Sequence, residues 1–118
     1  MLFLGSNYLF AQNNGAIFFI CSLAGMDASK GKNVTAYSLS KSLLFQLAGL
    51  INIEYADQSI HAHVIVPSII DTPQNRADMP DADFSKWEKP EQIAAIIERY
   101  SSNNNQKPKT VIIVQEEI

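Results

Sequence analysis

Three short apolar runs set narrow limits on what this 118-residue chain folds into. Residues 16–21 (AIFFIC), the VIV centre of residues 60–70, and the VIIV that follows Thr110 in residues 110–114 (TVIIV) are apolar without alternation. Runs of this length and character are strands covered on both faces, the pattern of a parallel sheet. Parallel neighbours need a crossover, normally a helix, and the intervening stretches have the right length for one. Residues 33–57 read as a long helix. A second helix spans residues 91–100, with Pro90 in its first turn and Ile93, Ile96 and Ile97 facing inward. Residues 2–12 read as the last turns of another, stopped by Asn13, Asn14 and Gly15. The order helix, strand, helix, strand, helix, strand predicts an α/β fold: three parallel strands and three helices, with helices on both faces of the sheet. Without an internal repeat or a linker, residues 1–118 read as a single domain.

The connections carry the polar chemistry. Residues 22–33 read as a loop, with Asn33 or Thr35 capping the long helix. Residues 71–87 read as a polar loop broken by Pro73 and Pro80. Open sheets of this kind take their ligands at the carboxyl ends of the strands. Ser22 lies just past the first strand, residues 67–72 just past the second, and Tyr37 near the start of the helix between them. All three therefore fall on one edge of the sheet.

Composition excludes several classes of function. The net charge of −3 is scattered, and no block of lysine or arginine offers a nucleic-acid surface. A single cysteine, Cys21, precludes an internal disulfide and fits a reducing cytoplasm; its place at the end of an apolar run marks a buried, inert thiol. No run is long enough to span a bilayer, and the apolar opening residues lack the basic flank and length of a signal peptide. A cytoplasmic protein without a membrane partner is expected. His61 and His63 share one face of a strand but have no third ligand nearby, so they read as a half-polar strand entrance and no metal site is expected. Phe84 and Trp87 read as residues that bury a loop against the body.

Tyr37 and Lys41 stand four residues apart on the long helix, hence on one face. An ammonium beside a phenol favours the phenolate, whose parent group titrates near ~10. A tyrosine so tuned exchanges protons at neutral pH. The pair alone is a weak signal; its neighbourhood gives it meaning.

Taken together, Ser22 in ICSLAG after a strand, Tyr37 and Lys41 in YSLSK, and PSIIDT over residues 67–72 resemble the C-terminal half of a short-chain dehydrogenase/reductase. Ser68 stands where that family's strand-end pattern has glycine. The segment DTPQNRADMPDADFSKW, residues 71–87, is similar to the corresponding loop of dihydropteridine reductases. The resemblance runs from Gly15 onward and implies a Rossmann-like doubly wound sheet and an NAD- or NADP-dependent oxidoreductase, possessed here as a partial domain, acting on a pteridine or another small carbonyl or imine compound. By the same resemblance, Tyr37 is the proton donor and acceptor. Lys41 holds the nicotinamide ribose and tunes Tyr37, and Ser22 hydrogen-bonds the substrate. Pro67, Ile70 and Thr72 contact the nicotinamide, and Tyr37 and Lys41 also belong to the cofactor site. The family's central helix packs against a second copy, which fits the apolar residues spread around residues 39–53 and implies a homo-oligomer.

Two departures accompany the resemblance. The loop between Ser22 and Tyr37 is slightly longer than usual. The glycine-rich turn that cradles a dinucleotide pyrophosphate at a helix N-terminus is absent from the 118 residues, whose glycines are isolated. The chain alone is thus expected to grip only the nicotinamide end of a cofactor. The alternative is a catalytically silent remnant serving as a dimerisation or interaction module.

Overall fold

The computed structural model describes residues 14–102 and 109–118. In chain order these form β1 (Asn14–Ile20), α1 (Leu23–Met26), α2 (Thr35–Glu54), β2 (Ser59–Val66), α3 (Pro73–Asp78), α4 (Pro90–Ser102), β3 (Val111–Ile113) and α5 (Val114–Glu117). The strands build one parallel sheet in the order β1-β2-β3, with Gly15 opposite Ile60 and Val64 opposite Val111. The α/β class and the parallel sheet are those expected from the sequence.

Strand β2 lies at the centre, which is why its apolar run does not alternate. Its Ala62, Val64 and Val66 face Ala48 and Ile51 of α2, whereas Ile65 faces Ile93 and Ile96 of α4 on the opposite side. Each such buried valine or isoleucine contributes roughly 1.5–3 kcal/mol. Beyond the reach of β3, the Asn52 side chain takes the place of a neighbouring strand. Its Nδ2 donates to Ala62 O at 2.9 Å, and its Oδ1 accepts from Ala62 N at 2.7 Å. At the other end of the chain, Glu117 gathers Arg99, Tyr100 and Lys109, tying α5 to α4.

Several local readings change. The described residues contain two long helices, α2 and α4, and three short ones, rather than the three helices expected; the helix read over residues 2–12 lies outside the described residues. Asn14 and Gly15, read as a helix stop, belong to β1. The loop over residues 22–33 contains α1 and a 3-10 turn, Ala28–Gly31, capped by Asp27. Neither Asn33 nor Thr35 caps α2: Asn33 takes the left-handed conformation (φ 68°) that asparagine tolerates, and Val34 holds the cap position without a side-chain bond. Strand β2 ends at Val66, so residues 67–70 leave the sheet. The loop over residues 71–87 contains α3 and a second 3-10 turn, Phe84–Lys86.

His63 is a core residue, not part of a half-polar entrance. It is buried, stacked on Phe18 at 5.0 Å, with its Nδ1 2.7 Å from Lys109 O. No group of metal-ligating side chains occurs among the described residues, and none of their helices is long and apolar enough to cross a membrane. Trp87 is buried as expected, against the Phe84 ring at 4.7 Å.

Candidate active site

The site starts where β1 stops. Cys21 N–H donates to Ile65 O at 2.8 Å, carrying the sheet pairing one residue past β1 and fixing Ser22 at the sheet edge. Ser22 is the N-cap of α1, but its hydroxyl makes no capping bond; the Oγ is buried and has no hydrogen-bond partner among the described residues. An unpaired buried hydroxyl is costly unless a ligand or water completes it.

Helix α1 lies hard against α2 because Gly25 carries no side chain. A Cβ there would sit 2.6 Å from Lys41 Cβ and 2.9 Å from Cys21 Sγ, closer than atoms approach. The Cys21 thiol donates to Lys41 O at 3.3 Å, and burial pushes its pKa up, so it is an inert packing group as expected. Lys41 Nζ donates to Ile20 O at 3.1 Å and lies 5.8 Å from the centre of the Tyr37 ring. That distance allows a cation–π contact. One turn earlier on the same face, Tyr37 is half exposed.

Ser22 and Tyr37 meet across a cavity of about 260 Å³. Cys21 also lines it, residues 67–70 form a wall, and Asn75 of α3 and the α3 C-cap residue Met79 complete the lining. None of these lining side chains is charged. Two cationic side chains nearby are engaged elsewhere: Lys41 with Ile20 O, and Arg76 with Asp71 through contacts of 2.6 and 2.8 Å. The Arg76 guanidinium holds the Asp71 carboxyl below its ordinary range, and also lies 4.6 Å over the Phe84 ring.

The wall of residues 67–70 is held by Glu88. Its Oε2 accepts from Ser68 N at 2.7 Å, its N–H donates to Ile69 O at 2.9 Å, and its carbonyl accepts from Asp71 N at 2.7 Å. Ile70 and Glu88 thereby form an isolated parallel bridge. Thr72 follows this wall in the chain, next to the residues that line the cavity. Its Oγ1 caps α3 by accepting from Asn75 N at 3.1 Å, which leaves its O–H free to donate.

Of the sequence candidates, Ser22, Tyr37, Pro67 and Ile70 line one cavity; Lys41 flanks it beside Tyr37, and Thr72 supports it from α3. Ser68, Ile69, Asn75, Met79 and Glu88 were not singled out. The pair Thr72-Pro73 is an N-cap followed by proline at the first helical position, a start signal that would have revealed α3 and with it Asn75 and Met79.

Residues 3–83 match the short chain dehydrogenase family, and the chain belongs to that family. Two tropinone reductase homologs of Arabidopsis thaliana are similar to it. One is 33% identical over 76 residues, 64% of this chain and 24% of that protein. The other is 35% identical over 76 residues, 64% of this chain and 28% of that protein. In fold, the chain is similar to an oxidoreductase of the short chain dehydrogenase/reductase family from Burkholderia thailandensis, with TM-score 0.75, 22% identity and coverage of 92% of this chain and 46% of that one. A 4-hydroxyisoleucine dehydrogenase complexed with NADH gives TM-score 0.71 at 22% identity, over 92% of this chain and 48% of that one. The chain thus spans less than half the length of each of these relatives.

Proposed function

We propose that the chain carries the catalytic half of an NAD- or NADP-dependent oxidoreductase acting on a small carbonyl or imine compound. The observation that carries the reading is the meeting of Ser22 and Tyr37, from separate elements, across one uncharged cavity with Lys41 beside the Tyr37 ring. Tyr37 gives a proton to, or takes one from, the substrate oxygen or nitrogen. Ser22, whose Oγ lacks a partner, hydrogen-bonds that same atom as charge develops on it. Lys41 holds the nicotinamide ribose beside Tyr37.

The residues present fit the nicotinamide end of the cofactor. Pro67 and Ile70 offer an apolar wall, and Thr72 keeps a free donor for the carboxamide. When bound, the dinucleotide supplies or accepts the hydride. The 118 residues are read as a partial domain, with the pyrophosphate-binding turn belonging to a companion segment. The finer assignment to a dihydropteridine reductase-like member is supported by the sequence of residues 71–87 alone, and a cytoplasmic location by the single cysteine, Cys21.

A homo-oligomer through α2 belongs to the same reading. Leu39, Leu43, Leu50 and Ile53 are exposed along that helix, while Leu44, Phe45 and Leu47 turn toward the core. The same exposed stripe is what favours the alternative, a catalytically silent interaction module.

The deciding experiment follows oxidation of NADH and NADPH by the purified protein over a panel of uncharged ketones, cyclic imines and quinonoid dihydropteridines, beside its Tyr37→Phe variant. Turnover lost in the variant supports the reading. Turnover equal in both removes Tyr37 from the mechanism, and none in either, with reduced nicotinamide mononucleotide supplied in excess as a donor that needs no pyrophosphate cradle, favours the silent module.

A further inference from the structure

We propose that Arg76 is a positioning residue of this cavity. It does not line the cavity itself; it fixes α3 so that Asn75 and Met79 do, and thereby sets the affinity for whatever occupies the space. What the occupant undergoes rests on the oxidoreductase reading, whereas the positioning rests on geometry.

Helix α3 does not keep its place by burial. None of its six residues is buried, so the core does not anchor it, and a helix this short is unstable by itself. Yet Asn75 and the C-cap residue Met79 belong to the cavity lining. Polar side chains do the fastening. Asn75 Nδ2 donates to Ile70 O, on the wall, at 2.8 Å. Arg76 reaches further. Its Nε and Nη2 donate to the two Asp71 oxygens at 2.6 and 2.8 Å, a forked pair that fixes direction as well as distance. The same guanidinium lies 4.6 Å over the Phe84 ring, and Phe84 packs at 4.7 Å on the buried Trp87. The next residue, Glu88, accepts from Asp71 N at 2.7 Å through its carbonyl. The contacts thus close into a circuit, from Asp71 through Arg76, Phe84, Trp87 and Glu88 back to Asp71. Arg76 is the member of that circuit that belongs to α3. A lysine could keep the charge, but not the fork or the flat face against Phe84.

The test uses the whole chain, isotopically labelled at the methionine ε-methyl groups. The Met79 signal reports the cavity end of α3, and the Met26 signal, from α1, serves as the control. Cyclohexanone is titrated in as the probe, and turnover is followed separately with reduced nicotinamide mononucleotide as donor. In Arg76→Ala and Arg76→Lys the Met79 signal should move toward its unfolded position while Met26 stays in place. Affinity for cyclohexanone should fall roughly tenfold, seen in turnover as a raised KM with kcat within about twofold of native. Arg76→Lys separates the fork from the charge: a native Met79 signal and native affinity in that variant overturn the proposal. So does a Met79 signal unmoved in Arg76→Ala, a Met26 signal that moves along with it, or a native protein that binds no cyclohexanone. The expected pattern in binding without any turnover upholds the proposal and counts instead against the oxidoreductase reading.

Discussion

Glu88 Oε2 accepts a hydrogen bond from Ser68 N–H at 2.7 Å, while Oε1 of the same buried carboxylate has no partner among the described residues. One residue thus anchors the cavity wall from a position twenty residues downstream, at the cost of an incompletely solvated oxygen. If the hydrogen bond rather than the charge holds the wall, any acceptor facing Ser68 suffices.

Glu88→Ala should therefore destabilise the fold by about 1–3 kcal/mol, because the half-buried Ser68 N–H is left without this acceptor. Glu88→Gln keeps an acceptor and should stay within about 1 kcal/mol of the parent. Urea denaturation of the three proteins checks the order; equal loss in both variants would show that charge, not the hydrogen bond, holds the wall.

Joined to a pyrophosphate-binding half, Tyr37→Phe should lower kcat by about 10²-fold or more, with cofactor affinity nearly unchanged, since only the proton donor is removed. Lys41→Ala should weaken both. Steady-state kinetics paired with cofactor fluorescence titration separates the two signatures. Ser22→Ala should cost less than Tyr37→Phe, because water can partly replace its hydroxyl.

Gly25→Ala should destabilise by about 1–3 kcal/mol, since the new methyl must displace Lys41 Cβ and Cys21 Sγ in a closely packed seam. The shift moves Lys41 relative to Tyr37, so activity should fall further than the fraction folded. Thermal melts alongside kcat measurements test this, and a catalytically normal Gly25→Ala protein would contradict it.

If α2 joins two copies, Leu43→Glu should shift the protein to monomer while sparing its fold, because Leu43 is 66% exposed in the single chain. Leu47→Glu is the wrong probe despite its matching periodicity; Leu47 packs toward the core, and a charge there should unfold the chain. Sedimentation velocity with far-UV circular dichroism distinguishes these outcomes.

His63 should make the fold sensitive to mild acid. Burial is the main cause holding its pKa below the ordinary 6.5. In the unfolded chain it takes a proton near that ordinary value, while the folded chain resists. The contribution of His63 should be constant above about pH 6.5, and stability should fall as the pH drops from there toward the depressed folded value. The carboxylates with lowered pKa, Asp71 and Glu117 among them, withdraw stability only further down. Denaturation midpoints measured between neutral pH and pH ~5.5 should slope in the native protein and flatten in His63→Phe.

The sheet and its two long helices were legible because two-sided burial leaves an unmistakable mark: β2 has no polar residue between Val64 and Val66. That Ser22, Tyr37 and Lys41 fall together at one edge of the sheet was legible through spacing and order. What escaped was the short, locally capped structure. Helix α3 has six residues, too few to display a period, so only Thr72 and Pro73 announced it. Asn33 and Thr35 had the right chemistry for a cap, yet the backbone at Asn33 had to turn left-handed, and Val34 took the cap position. Glu88 was invisible for a different reason. A carboxylate in a polar stretch reads as solvated surface, and nothing local discloses that Ser68 waits for it.

The register of β2 has a consequence for the timing of folding. Its partners lie far away on both sides in sequence, with Gly15 beside Ile60 and Val64 beside Val111. No two adjacent segments of the chain can zip into this sheet, and the topology belongs to the slower, non-local class. During synthesis, Ser22, Tyr37 and the wall at residues 67–70 all leave the ribosome before β3 exists to flank the central strand. The reactive cavity is made early as sequence and late as structure. Substitutions in the last strand, remote from any substrate, should govern how much of the chain ever becomes competent.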